Sequence, residues 1–198
     1  NLEGSISEHV SIFSNVFSVD PQQLGFDLIS IEGKAKTNFL VKMPLGVEIK
    51  PGELDFQLKS VTDDASFPEF FDGKTLRDGR FSVQIDPKGM ELDGGGVLAN
   101  TPIKLRWSES WSVDRRYTRK AEIQGVFSQS DWEQFRFAKH LSGRLEGPLG
   151  LDIALLKSEG QAPLEVFAKV QMQECKLVIT ELGWLKKPGE VALGWMTA

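Results

Sequence analysis

Apolar and polar residues alternate along most of this chain, and that alternation restricts its fold more than any other feature. Successive side chains of a β-strand point to opposite faces, so a period of two predicts strands with one apolar face. The clearest run spans residues 164–172, and residues 149–155 repeat the pattern just before it. The polar stretch 158–163 lies between these runs. We therefore predict that the two runs form a β-hairpin.

The same alternation predicts further strands upstream. These strands are centred on Val41, Phe56, Val83 and Leu105. Turn residues such as Asp86-Pro87-Lys88-Gly89 separate them, at intervals that suit antiparallel neighbours better than parallel strands with crossover helices. No Pro/Ser-rich linker divides the chain. We predict a mainly β fold in which residues 1–198 form a single all-β segment of a larger protein.

One segment departs from the strand pattern. In residues 130–141, Ser130 and Glu133 have the spacing of a capping box, and Trp132 and Phe135 fall on one face of a helix. This segment is predicted to form a short helix. Residues 68–71 allow a second helical turn, so one or two short helices are expected in the fold.

The charge of the chain argues against a nucleic-acid partner. The net charge is −5, and Lys and Arg are scattered among Asp and Glu rather than clustered on one face. The densest basic stretch contains Arg115, Arg116, Arg119 and Lys120. We interpret this stretch as a solvated strand face, with contact to an acidic head group as the alternative.

Residues that carry chemistry are sparse. The histidines are His9 and His140, and neither lies in a strand-turn-helix elbow or at metal-ligand spacing. Cys175 is the one cysteine and is expected to be a buried thiol. Gly94–Gly96 lacks the Lys-Ser/Thr and the helix of a phosphate loop, so a bulge or bend is predicted there. We predict no enzyme activity, catalytic residue, cofactor or metal.

The apolar residues allow two interpretations. The chain contains 13 Phe and 5 Trp, and the apolar faces of its strands carry few polar atoms. Two sheets could cover each other in a β-sandwich. Alternatively, one curled sheet leaves its concave face to acyl chains, and at ~0.8 kcal/mol per buried CH₂ a sixteen-carbon chain gains on the order of 10 kcal/mol. Alternation alone favours the β-sandwich.

Several short sequence motifs, in a fixed order along roughly residues 20–195, favour the curled sheet over the β-sandwich. They include Leu24–Asp27, Ile31–Ala35, Leu76–Phe81, Thr101–Trp107, Gly147–Ile153 and Glu181–Gly189. In this order the chain resembles the YhdP-type branch of the AsmA-like bacterial envelope proteins. The resemblance implies a curved antiparallel sheet that forms an open, twisted, β-taco-like groove. It also implies a non-catalytic, lipid-binding segment of a bridge-type phospholipid transport protein between the inner and outer membranes.

The resemblance further implies a periplasmic location, with an inner-membrane anchor in the full-length protein. The expected partners are phospholipid or fatty acyl chains and the remaining segments of the parent chain, with membrane contact through parts absent from this segment. The residues predicted to line the groove are Phe39, Val41, Phe56, Leu58, Phe81, Val83, Ile103, Leu105, Ile153, Leu155, Val166 and Val170. The alternatives are a β-sandwich scaffold or protein- or glycan-binding module of the cell envelope, and an envelope hydrolase, which would need a carboxylate pair or a Ser–His contact.

Overall fold

The structure is a computed structural model that describes residues 1–17, 30–42, 55–111, 117–141, 143–160 and 162–197. Within these ranges the fold is mainly β, as predicted, and its large antiparallel sheet is not closed into a barrel. The phrase Leu24–Asp27 and the basic residues Arg115 and Arg116 lie outside the described residues.

The elements of the described residues follow one another along the chain in this order. The first half contains β1 (Leu2–Ser5), α1 (Ile6–Phe17), β2 (Glu32–Lys42), β3 (Asp55–Phe71), β4 (Lys74–Asp86), β5 (Gly89–Leu98) and β6 (Thr101–Ser110). The second half contains β7 (Arg119–Phe127), α2 (Gln129–Trp132), β8 (Leu145–Glu146), β9 (Leu149–Lys157), β10 (Leu164–Gln171), β11 (Lys176–Ile179), β12 (Trp184–Lys186) and β13 (Leu193–Thr197). Short 3₁₀ helices span Arg136–His140 and Thr180–Leu182.

Ten of the strands form one antiparallel sheet in the order β1-β2-β3-β4-β5-β6-β7-β9-β10-β13. The predicted hairpin is confirmed, because β9 pairs with β10 and Leu155 lies opposite Val166. The predicted turn after Asp86 is also present, and its carboxylate accepts hydrogen bonds from the backbone N–H groups of Lys88 and Gly89 at 2.7 and 3.1 Å. β1 and β13 form the two edges of the sheet.

The remaining strands form a three-stranded sheet, ordered β12-β11-β8, which continues the last strands of the large one. Gln171 lies opposite Gly150 in the large sheet, and Lys176 lies opposite Glu146 in the small sheet. The pairing register therefore shifts by one residue where these two strands bend and pass from the large sheet into the small one. β10–β11 and β12–β13 are related in the same way. The small sheet is the bent end of a three-stranded ribbon.

A buried lysine lies at this bend. Lys186 is 1% exposed, and its ammonium donates hydrogen bonds to the backbone carbonyl oxygens of Gln173, Cys175 and Lys187 at 3.0, 2.8 and 3.0 Å. The thiol of Cys175, which is buried as predicted, donates to the carbonyl oxygen of Pro148 at 2.7 Å. These bonds satisfy backbone groups that leave the ladder where the strands bend.

The sheet has an inner face, which we define as the face that bears Phe81, Leu105 and Ile153. These positions belong to one row of directly paired residues that runs across the strands. Helix α1 packs on the inner face beside β1 and β2, and its Phe13 meets Phe56 edge to face, with ring centroids 6.2 Å apart. The main core lies between this face and the segment that joins β7 to β8.

The helical predictions need three corrections. Alternation gave no signal for α1, which is the longest helix described. The capping box at Ser130 is wrong, because the helix begins at Gln129, and the hydroxyl of Ser128 instead donates to the Asp131 carboxylate at 2.6 Å. Residues 68–71 belong to β3 rather than to a helix, since pairing with β4 supplies backbone partners that a lone helical turn lacks.

The glycine cluster also differs from the prediction. Gly94–Gly96 keep a continuous register with β6, and the irregularity lies on the facing strand β4, where Asp78 has a φ of 54°. A Cβ on Gly94 would lie 2.1 Å from the carbonyl oxygen of Arg80 and 2.7 Å from the Phe81 ring. Glycine is therefore required by the close approach of β4 and its aromatic side chain.

The bend predicts a strong stability effect at Lys186. In Lys186→Met the apolar volume is largely kept, but three backbone carbonyls lose their donor. We expect the free energy of unfolding to fall by about 2–4 kcal/mol. The exposed neighbour provides a matched control, and Lys187→Met should stay within about 0.5 kcal/mol of the parent. Urea denaturation followed by tryptophan fluorescence measures both, and equal losses would contradict the role of the buried ammonium.

Candidate functional site

All of the residues predicted to line a groove lie on the inner face of the large sheet. Residues directly opposite one another in a ladder point to the same face. One row joins Val83, through Leu92, Trp107 and Ala121, to Leu155 and Val166. The next row contains Phe81, Leu105 and Ile153, and the row after that contains Ile103 and Val170. The remaining four are Phe39, Val41, Phe56 and Leu58, on β2 and β3.

These residues differ in how far the protein itself covers them. The buried ones are Phe56, Phe81, Ile103 and Leu105. The partly buried ones are Val41, Leu58, Val83, Ile153, Leu155, Val166 and Val170. Phe39 is 40% exposed. The structure thus brings the predicted set onto one surface, and their role as a lining remains a prediction.

One half of the inner face is covered by the segment between β7 and β8. Trp132 and Phe135 are 0% and 2% exposed, and the Trp132 indole donates a hydrogen bond to the carbonyl oxygen of Gly147 at 2.8 Å. Phe135 meets Phe127 edge to face, with ring centroids 5.7 Å apart. An apolar recess between Phe135 and the sheet holds only about 10 Å³. This half, which we call the covered half, is packed by protein.

The other half of the inner face has a different composition. Met90, Trp107 and Ala121 form a second apolar cluster there. The side chains packed around them are Val83, Ile85, Leu92 and Leu155. Among the described residues, every member of this cluster comes from the large sheet itself, so these side chains shelter one another. We call this region the open half.

A charged row borders the open half. Direct pairing across β6, β7 and β9 places Glu109, Arg119 and Lys157 side by side on the inner face. The Arg119 guanidinium donates a hydrogen bond to the Glu109 carboxylate at 2.5 Å and lies over the Trp107 ring at 5.4 Å. The indole N–H of Trp107 also donates to that carboxylate at 3.3 Å. Among the ion pairs of the described residues this one is the most sheltered, with side chains 25% and 7% exposed.

The environment of Glu109 changes its acidity. Burial raises the pKa of the Glu109 carboxyl above its usual value, and it outweighs the opposing effects of the Arg119 charge and the hydrogen bonds from Arg119 and Trp107. A sheltered ion pair costs free energy because both groups lose water. It stabilises the fold only where the geometry of its hydrogen bonds is good enough to offset that cost.

The interpretation of the basic stretch as a solvated face was wrong for Arg119. Its neighbour Lys120 does point to the outer face, where it pairs with Glu122 at 2.6 Å. The sequence pattern could have predicted the position of Arg119. It lies two residues before Ala121 and four before Ile123, and residues at this spacing in a strand share one face. Glu109 and Lys157 extend two predicted apolar runs in the same phase and were missed for the same reason.

Two other groups considered for chemistry have structural partners. The imidazole of His9 is 2.8 Å from the Thr37 hydroxyl, and Asp63 pairs with Arg80 at 3.1 Å. Burial raises the pKa of the Cys175 thiol. Across the described ranges, no group of three or more His, Cys, Asp or Glu side chains has the arrangement of a metal site, and no helix has the length and apolar character needed to span a membrane.

Comparison with known proteins gave no match to any family model, to any curated protein or to any solved structure. The resemblance to AsmA-like proteins therefore remains a prediction.

The raised pKa of Glu109 makes a prediction for stability. A carboxyl that holds its proton more tightly in the folded state stabilises the fold most below its unfolded-state pKa, and this contribution is lost as the pH rises toward the folded-state pKa. Glu109→Gln removes the titration. The free energy of unfolding of the parent minus that of the variant should therefore decrease as the pH rises above 4.5. Urea denaturation at constant ionic strength measures it, and a difference that rises with pH would show the opposite shift.

Proposed function

We propose that the open half of the inner face binds the acyl chains of phospholipid, and that this protein is a non-catalytic segment of a lipid-transport groove. The observation that carries the proposal is the second apolar cluster, whose members in the described part of the chain all come from one face of the large sheet. Several of them, including Val83, Leu92 and Leu155, stay partly exposed. An apolar surface of this kind gains free energy when hydrocarbon displaces water from it.

The dimensions suit a hydrocarbon chain. The row from Val83 to Val166 crosses six neighbouring strands, and with about 4.8 Å between strands it is about 24 Å long. One acyl chain spans about 15 Å in half of a bilayer core. At ~0.8 kcal/mol per buried CH₂, a chain in this row gains enough free energy to be retained without any covalent or polar contact.

The cellular location is proposed from the resemblance of the sequence motifs to those of AsmA-like proteins. In this proposal the protein lies in the periplasm as part of a bridge between the inner and outer membranes, and its inner-membrane anchor lies elsewhere in the parent chain. A groove needs no reacting group, which agrees with structural partners for His9 and Asp63 in the described part of the chain.

One observation favours a second candidate. The three-stranded sheet and the segment after β7 cover half of the inner face as a second layer, which is also how a β-sandwich is built. In that case the protein is a scaffold or a protein- or glycan-binding module of the cell envelope. Failure of the protein to take up lipid would favour this candidate.

A matched pair of valines tests the lipid proposal. Val166 lies on the inner face opposite Leu155, whereas Val126 lies on the outer face and is 70% exposed. Because a carboxylate is costly in contact with hydrocarbon, Val166→Asp should lower uptake of pyrene-labelled phosphatidylcholine from vesicles by about tenfold or more. Val126→Asp should leave uptake unchanged. Pyrene fluorescence of protein separated from the vesicles gives the readout.

A near-isosteric variant separates binding from folding. Val166→Thr keeps the side-chain shape and should fold, which circular dichroism and thermal unfolding can verify, yet it should still lower uptake because its hydroxyl is desolvated by the chain. No uptake by the parent protein, or equal uptake by the two Asp variants, would rule out the open half as the binding surface.

A further inference from the structure

The charged row is unusual for the surface on which it lies. Its members share the inner face with apolar rows, and the next row across the same strands contains Trp107, Ala121 and Leu155. Charged side chains on an apolar face cost desolvation unless a partner compensates them. The Glu109 carboxylate compensates the positive charge of Arg119. The remaining charge in the row is that of Lys157.

Arg119 and Lys157 lie directly opposite each other in the ladder of β7 and β9. Side chains in this relation have Cβ atoms about 5 Å apart, and like charges so placed repel. Lys157 donates a hydrogen bond to the backbone carbonyl oxygen of Ala162, a neutral group that does not offset this repulsion. With the single carboxylate of Glu109, the row carries a net positive charge, and an anion between the two cations would relieve the repulsion.

We propose that Arg119 and Lys157 hold the phosphate of a phospholipid whose acyl chain lies in the adjacent apolar row, a step that rests on the proposed function. Arginine is suited to a phosphate because its planar guanidinium offers several N–H donors. The hydrogen bond to Glu109 and the contact with the Trp107 ring keep the guanidinium in place. A quarter of the Arg119 side chain is exposed, so an anion can reach it from solvent.

The test compares two lipids that differ only in the head group. Nile red, a neutral fluorescent probe, is bound to the protein and displaced by didecanoyl phosphatidic acid or by didecanoylglycerol. The parent should bind the phosphate lipid about tenfold more tightly or better, since hydrogen bonds to charged groups are worth that much. The preference should shrink at high salt, which screens charge.

Two variants assign the preference to residues. Arg119→Gln combined with Glu109→Gln removes both charges of the buried pair together, so that no unpaired carboxylate remains, and Lys157→Gln removes the second cation. Each should lower affinity for the phosphate lipid while affinity for didecanoylglycerol stays the same. Lys120→Gln is the matched control, because Lys120 follows Arg119 in the chain but points to the outer face.

The outcomes separate this proposal from the one on which it rests. If neither lipid displaces Nile red, the open half does not bind acyl chains and the proposed function fails. If the parent binds both lipids with equal affinity, or if Lys120→Gln lowers the preference as much as Lys157→Gln, acyl binding stands and the phosphate site is overturned.

Discussion

An open antiparallel sheet of ten strands must shelter one apolar face across its whole width, and the structure of this protein follows from that requirement. A barrel would solve the problem by closing, but here β1 and β13 are the two edges of the sheet. In the described part of the chain, helix α1 shelters this face beside β1 and β2, and the segment after β7 shelters another part of it. Elsewhere, side chains of the sheet such as Met90 and Trp107 cover one another. Several of their neighbours, including Val83 and Leu155, stay partly exposed.

The bend in the last strands determines where the cover ends. The last three strands of the large sheet continue into β8, β11 and β12 of the small sheet, and the ammonium of Lys186 binds the carbonyl groups released where they bend. Trp132 then packs beneath this corner through its bond to Gly147. Because both contacts lie at one end of the strands, the rows nearest to them are packed and the rows farther along are open. The division of the inner face is thus a consequence of one local structure.

Alternation predicted most of this arrangement, since the face on which a strand residue lies depends only on its phase. It assigned the groove-lining residues, from Phe39 to Val170, to one surface. It did not predict the bend, because a buried lysine that binds carbonyl groups looks in sequence like its exposed neighbour Lys187. Helix α1 was missed because its helicity depends on packing against β2. Arg119 was misassigned because charge was given more weight than phase.

The extent of the charged row limits what the proposed phosphate site can do in the proposed transport groove. Rows run across the strands, so a lipid that moved along the proposed groove would pass from strand to strand within one row. The row of Glu109 and Arg119 continues as Met90 on β5 and as Leu164 on β10, so its charges are confined to three neighbouring strands. Apolar rows, in contrast, keep the same chemistry from β4 to β10. If Arg119 and Lys157 hold phosphate, they hold it at one point, while the proposed acyl chains meet a uniform apolar surface in the adjacent rows. The charged row then acts as a stopping point for head groups rather than as a continuous track.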